Sequence, residues 1–157
     1  MTRTRVYLCW YSLKYIDFDH LSALAGIQPT RIEEKGTPVL HDGSPLYEIG
    51  KSGERSTLLR KENALIYELP SFRGYRVDNL LKKLMNTIHN PVELGDYCKS
   101  NGINVKLQIV VEGITDTYSI PVLTFSKDCV SFLAKLNACV DFDLYTSPLE
   151  LKEIKSY

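Results

Sequence analysis

Apolar and polar positions alternate most cleanly in the last third of the chain, where Asn104 to Thr146 reads strand, turn, strand, capped helix, strand. Val105, Leu107, Ile109 and Val111 point one way along the first of these strands, and Lys106, Gln108 and Glu112 point the other. That is the pattern of an antiparallel strand with one face buried. Gly113 to Thr117 predicts a turn and Tyr118 to Phe125 a returning strand, with Pro121 favouring a sheet edge. Ser126 predicts a helix cap, because its hydroxyl accepts a free N–H of the first turn. Cys129, Phe132, Leu133 and Leu136 form the apolar side of that helix, and Asp141 to Tyr145 closes the sheet, burying Val140, Phe142 and Leu144.

The earlier part of the chain is read in the same way. Thr4 to Ser12 is a strand with apolar or aromatic residues on both faces (Val6, Leu8 and Trp10; Tyr7, Cys9 and Tyr11), which places it centrally. Asp17 or Asp19 caps a short helix that buries Leu21, Leu24 and Ala25 and ends at Gly26. Residues 30–63 are dense in charge and punctuated by Gly36, Gly43, Gly50 and Gly53. Asp42-Gly43 predicts a hairpin turn joining Thr37–Leu40 to Leu46–Ile49, and Pro45 keeps that hairpin at an edge or outside the main sheet. Ala64 to Leu69 is the next strand. Asp78 is expected to cap a helix carrying Val77, Leu81, Leu84, Met85 and Ile88 at helical spacing. Asn90-Pro91 starts a further helix, which Asn101-Gly102 stops.

The resulting order, β-α-β-α-α-β-β-α-β with an early hairpin, predicts an α+β two-layer sandwich. Helices cover one face of a mostly antiparallel sheet, and the ferredoxin-like split βαβ arrangement is the nearest standard topology. At 157 residues the expectation is a single domain, 1–157, with 30–63 as a charged hairpin or loop insertion.

Composition narrows the function classes. Nineteen basic residues balance nineteen acidic ones, which argues against a partner recognised through phosphate neutralisation, so no nucleic acid is expected. No apolar run approaches the roughly 20 residues of a membrane span, so no membrane partner is expected. The start, MTRTRVYLCWYSL, reads as a strand rather than a signal peptide. Cys9, Cys98, Cys129 and Cys139 form no C-x-x-C pair and read as four buried thiols of a cytoplasmic protein.

Candidate chemistry is sparse. The sequence holds no P-loop, no G-x-G-x-x-G, no G-x-S-x-G and no histidine pair at metal-ligand spacing, so no cofactor or metal is expected. Asp17, Asp19 and His20 are the one acid–histidine cluster, and helix capping accounts for the acids. Cys9 beside Trp10 reads as a buried, inert thiol. Asp141 and Asp143 fall on one sheet face about 7 Å apart. Lys106, Gln108, Glu112 and Tyr145 are candidates to share that face, with Tyr7 and Tyr11 if the first strand is adjacent. A solvated face with cross-strand ion pairs accounts for the same residues. In the 30–63 segment Arg31, Glu33 and Glu34 head a run of mixed charges suited to steering a protein partner.

Three fragments, DFDHLSALAGIQPTRIEEKG, LPSFRGYRVDNLLKKLMN and IPVLTFSKDCVSFLAKLNACVDFDLY, together resemble the bacterial domain-of-unknown-function family numbered 4279. Gly26, Ile27, Pro29, Thr30, Lys35, Gly36, Ser126, Leu133, Asp143 and Tyr145 stand where that pattern asks. The chain departs from it in having IYEL where the family tends to carry a Trp-Ser-Leu segment. The family name implies no activity. Small bacterial domains of this kind resemble immunity proteins encoded beside secreted toxins, an analogy at the level of fold.

The expectation is therefore a non-catalytic protein-binding domain, immunity- or antitoxin-like, acting on a toxin encoded nearby. Its contact patch would comprise Lys106, Glu112, Asp141, Asp143, Tyr145, Tyr7, Tyr11, Arg31, Glu33 and Glu34. The alternative is a small enzyme or metabolite-binding domain using a cleft at Asp17, Asp19 and His20, and a homodimer is the third reading.

Overall fold

The strand that opens the chain lies at the centre of the sheet, because both of its faces have apolar surface to bury. The computed structural model describes residues 3–73, 77–114 and 124–146. In chain order the elements are β1 (Arg3–Ser12), α1 (Phe18–Ala25), β2 (Arg31–Glu33), β3 (Leu40–His41), β4 (Ser44–Pro45), β5 (Tyr47–Ile49), β6 (Arg55–Thr57), β7 (Asn63–Glu68), β8 (Phe72–Arg73), α2 (Val77–Thr87), α3 (Pro91–Ser100), β9 (Asn104–Ile114), α4 (Lys127–Lys135) and β10 (Ala138–Thr146). The main sheet runs β10-β9-β1-β7-β2, with β8 also paired to the start of β1. β1 is antiparallel to both neighbours, so that Tyr7 lies opposite Glu68 on β7 and Gln108 on β9. β10 runs parallel to β9.

The four described helices pack on one side of this sheet. Val6, Leu8 and Trp10 of β1 join Leu65 of β7 and Leu107 and Ile109 of β9 in one apolar cluster. Leu21 of α1, Leu81 and Leu84 of α2, Leu94 of α3 and Phe132 and Leu133 of α4 complete it. Trp10 is fully buried, and its indole N–H meets no acceptor among the described residues.

The α+β class and the one-sided helix layer therefore agree with the sequence reading. The split βαβ topology is not confirmed. A helical crossover returns the chain in its starting direction, and α4 delivers β10 parallel to β9 at one edge. The expected strand Tyr118–Phe125 lies mostly outside the described residues; Thr124 and Phe125 at its end are not in a strand. Phe142 and Leu144, expected to be buried, are 41% and 47% exposed, because β10 is an edge strand.

The 30–63 segment has more strand than its composition implies. β2 adds to the main sheet through β7, with Ile32 opposite Leu65. Asp42 and Gly43, at φ 48° and 79°, make the expected hairpin turn, but it joins only Leu40–His41 to Ser44–Pro45. A second hairpin pairs β5 with β6 and lays the Arg55 guanidinium 3.8 Å from the centre of the Tyr47 ring. Both hairpins stand outside the main sheet.

Asp78 differs from expectation in a useful way. It does not cap α2 but lies in its first turn, and it reaches across to the start of α4. Its carboxylate accepts the Ser126 N–H at 2.9 Å and the Cys129 thiol at 3.1 Å, and pairs with Lys82 at 3.0 Å. Ser126 meanwhile caps α4 by accepting the Cys129 N–H at 3.3 Å. The Ser126 backbone, Cys129 and Lys82 together hold the Asp78 carboxyl well below the usual carboxylate range.

Gly95 makes the second tie between helices. A Cβ added there would lie 2.2 Å from the Lys135 carbonyl oxygen, which is backbone and cannot turn away. α3 thus approaches the end of α4 as closely as it does only because residue 95 has no side chain.

Two stability outcomes follow from these ties. Gly95→Ala gains about 1 kcal/mol of helix propensity but forces two backbones apart. The net expectation is a loss of about 1–3 kcal/mol, read from urea unfolding; unchanged or raised stability would refute the close approach. For Asp78 the folded-state pKa lies below the unfolded value. Its stabilisation is therefore present above the unfolded carboxylate range and lost as pH falls through the folded value. Asp78→Asn should lower the urea midpoint at pH 7, and the gap to the parent should narrow as pH drops from about 5 toward 2. A gap that stays constant would show that the carboxylate charge is not what matters.

Candidate functional site

Residues directly opposite one another in a sheet share a face, so the pairing register assembles the surface away from the helices. β2 supplies Arg31 and Glu33; β7 supplies Ile66 and Glu68; β1 supplies Arg5, Tyr7, Cys9 and Tyr11. β9 supplies Lys106, Gln108 and Glu112, and β10 supplies Asp141, Asp143 and, by alternation, Tyr145. No described helix packs on this side.

At the centre of the face, Ile66, Cys9 and Lys106 lie side by side on neighbouring strands, with Arg31 beyond Ile66 and Cys139 beyond Lys106. Ile66 and Cys9 are each 8% exposed, so they form an apolar floor between two cations. Burial pushes the Cys9 thiol up to about 11, against the pull of Lys106 and Arg31, and keeps it protonated at neutral pH. Tyr7 and Tyr11 flank Cys9 along β1, half-buried, with burial raising both phenols. The Lys106 ammonium lies 5.7 Å from the centre of the Tyr11 ring.

The charges around this floor are largely matched in place. Arg5 pairs with Glu112 across β1 and β9. Lys106 lies 3.6 Å from Asp141, and Gln108 donates its amide to Asp143 at 2.7 Å. Glu33 takes Arg31 at 2.8 Å and Arg60 at 3.4 Å. Such an arrangement holds rings and charges in fixed positions. Its central thiol, Cys9, is buried and protonated at neutral pH.

Seven residues expected on this surface, Tyr7, Tyr11, Lys106, Glu112, Asp141, Asp143 and Tyr145, share it. Arg31 and Glu33, expected in a charged loop, join it because β2 pairs with β7. Glu34 lies just past the end of β2, off the sheet, where its carbonyl accepts the Thr37 hydroxyl at 2.6 Å. Arg5, Ile66 and Glu68 went unread. Alternation along β1 and β7 was visible, but the register that brings them beside Tyr7 and Cys9 was not.

The acid–histidine cluster does other work. Asp17 caps α1 by accepting the His20 N–H at 3.0 Å, and the His20 ring tilts against Tyr97 at 4.9 Å. A cleft of about 570 Å³ lies instead between His89, Asn90, Glu93 and Lys135, and another of about 320 Å³ between Glu33, Leu58, Arg60 and Ala64. Cys98 and Cys129 are buried, and burial pushes the Cys98 thiol up to about 12. Cys139, expected to be buried, is exposed because it lies on the edge strand. Among the described residues no group of three or more His, Cys, Asp or Glu is placed to hold a metal ion. No described helix is long and apolar enough to cross a membrane.

Several residues behind the family resemblance prove to have structural tasks. Gly26 closes α1 in the left-handed conformation at φ 69°. The Thr30 hydroxyl accepts the Glu68 N–H at 2.8 Å, and Gly36 turns the chain at φ 83°. No curated protein and no solved structure matches the chain. Residues 2–147 match the family described as "Domain of unknown function (DUF4279)", and the chain belongs to that family.

Proposed function

We propose that this is a non-catalytic protein-binding domain of the cytoplasm that uses its open sheet face to cover the working surface of a toxin, in the manner of an immunity protein. The observation that carries the reading is a five-stranded face bare of described helices, with Tyr7 and Tyr11 beside the apolar floor of Cys9 and Ile66. Tyrosine offers a large ring at small entropic cost, and aromatic residues with arginine dominate the centres of protein interfaces. The matched ion pairs suit a partner that brings an apolar or aromatic anchor to the centre and polar groups to the rim. A polyanion is a poorer fit at the centre of the face, because Arg5, Arg31 and Lys106 already pair with Glu112, Glu33 and Asp141. The small-enzyme alternative draws less support, since the Asp17 carboxylate is committed to its helix cap.

The test uses the purified toxin domain encoded beside this protein's gene, titrated calorimetrically against the full chain. A specific complex burying roughly 1,200–2,000 Å² is expected. Tyr11→Ala and Lys106→Glu should each weaken it by about tenfold or more, ~1.4 kcal/mol, while co-expression of the parent restores growth. Absence of binding, or binding indifferent to both substitutions, would remove the open face from the account.

A further inference from the structure

The two edges of the sheet are guarded differently. β2 is three residues long and carries the Arg31–Glu33–Arg60 ion cluster. β10 is nine residues long, is bonded to β9 on its inner side, and has no strand partner among the described residues on its outer side. It contains no Pro, Gly or Lys, the residues that commonly blunt an edge. Its one irregularity falls near the end, between Leu144 and Thr146. In a parallel pair every second residue turns its N–H and C=O away from the neighbour. The outer side of β10 therefore presents a row of backbone donors and acceptors.

We propose that this edge accepts an extended segment of a partner protein as an added strand, with apolar and basic residues in alternation. The apolar residues would lie beside Phe142 and Leu144, which are exposed on the helix side, and the basic ones beside Asp141 and Asp143 on the open face. Charge selects this occupant. Asp141 is 51% exposed with the Lys106 ammonium 3.6 Å away, and Asp143 takes a hydrogen bond from the neutral Gln108 amide. A second copy of this chain fits less well. Symmetric antiparallel pairing centred on Asp141, Phe142 or Asp143 sets carboxylate against carboxylate, which destabilises a sheet pair. The inference does not depend on docking at the open face.

The probe is a capped peptide of about ten residues alternating valine and lysine. It is titrated against the full chain beside a valine–glutamate peptide and a valine–lysine peptide N-methylated at alternate residues. The unmethylated lysine peptide should bind about tenfold or more tighter than either control and should protect outward amides of residues 138–145 from hydrogen exchange. Asp141→Lys with Asp143→Lys should turn the preference to the glutamate peptide. Equal binding of the methylated and unmethylated peptides would overturn the proposal, as would outward β10 amides already protected in the free monomer. A dimer that protects β10 would also overturn it, assigning the edge to a second copy. The peptide titration on the unaltered chain reads the outward backbone of β10, whereas the open-face reading is tested at Tyr11 and Lys106 with a different partner, so failure of the peptide to bind leaves that reading standing.

Discussion

The antiparallel ladder between β1 and β9, running from Arg3 opposite Glu112 to Tyr11 opposite Asn104, fixes both what is buried and what is displayed. Because side chains alternate with a period of two, a slip of one residue would turn Val6, Leu8 and Trp10 outward and bring Arg5, Tyr7 and Tyr11 under the helices. The apolar cost of that exchange is large: fully burying one such side chain contributes about 1.5–3 kcal/mol, and the ladder buries several on each strand. The hydrophobic effect on one side of the sheet thereby sets the positions of the polar and aromatic groups on the other. A surface ordered in this way needs little energy of its own to stay in register.

The helix layer that enforces this register is itself tied together by contacts with narrow tolerance. Gly95 lets α3 meet the end of α4 backbone to backbone, and Asp78 links the first turn of α2 to the first turn of α4. Both ties lie close to α4, the element that carries the chain from β9 to β10. A disturbance at either would therefore reach the β10 edge, where Phe142 and Leu144 are already 41% and 47% exposed.

The readable parts of the sequence were those in which one physical rule acts alone. Alternation gave β1 and β9, and the caps at Asp17, Gly26 and Ser126 gave the ends of α1 and the start of α4. Asp78 was misread because its sequence position beside Val77 fits a local cap, whereas its partners are about fifty residues away. β2 was missed because three residues are too few to show a period, and its charges describe a loop as well as an edge strand. The candidate face was legible one strand at a time: Asp141, Asp143 and Lys106 follow from alternation. Its centre depends on the β1–β7 register, which places Ile66 beside Cys9 and which no local pattern encodes.

Matched charges around an apolar floor also separate stability from recognition on this face. The Arg5–Glu112 and Lys106–Asp141 pairs are partly exposed, and pairs of that kind contribute between nothing and about 1 kcal/mol. They are thus poor candidates for holding the sheet together, a task the buried side already performs. Their effect is geometric: each holds a long side chain in a fixed place around Cys9 and Ile66, which are 8% exposed and flanked by Tyr7 and Tyr11. A partner that supplied a competing charge would have to break such a pair, whereas one that supplied an apolar anchor could leave all of them in place. The chemistry of the face therefore favours shape and ring contacts at its centre, and reserves charge selection for its margin at β10, where Asp141 is 51% exposed and Asp143 is held by a neutral amide.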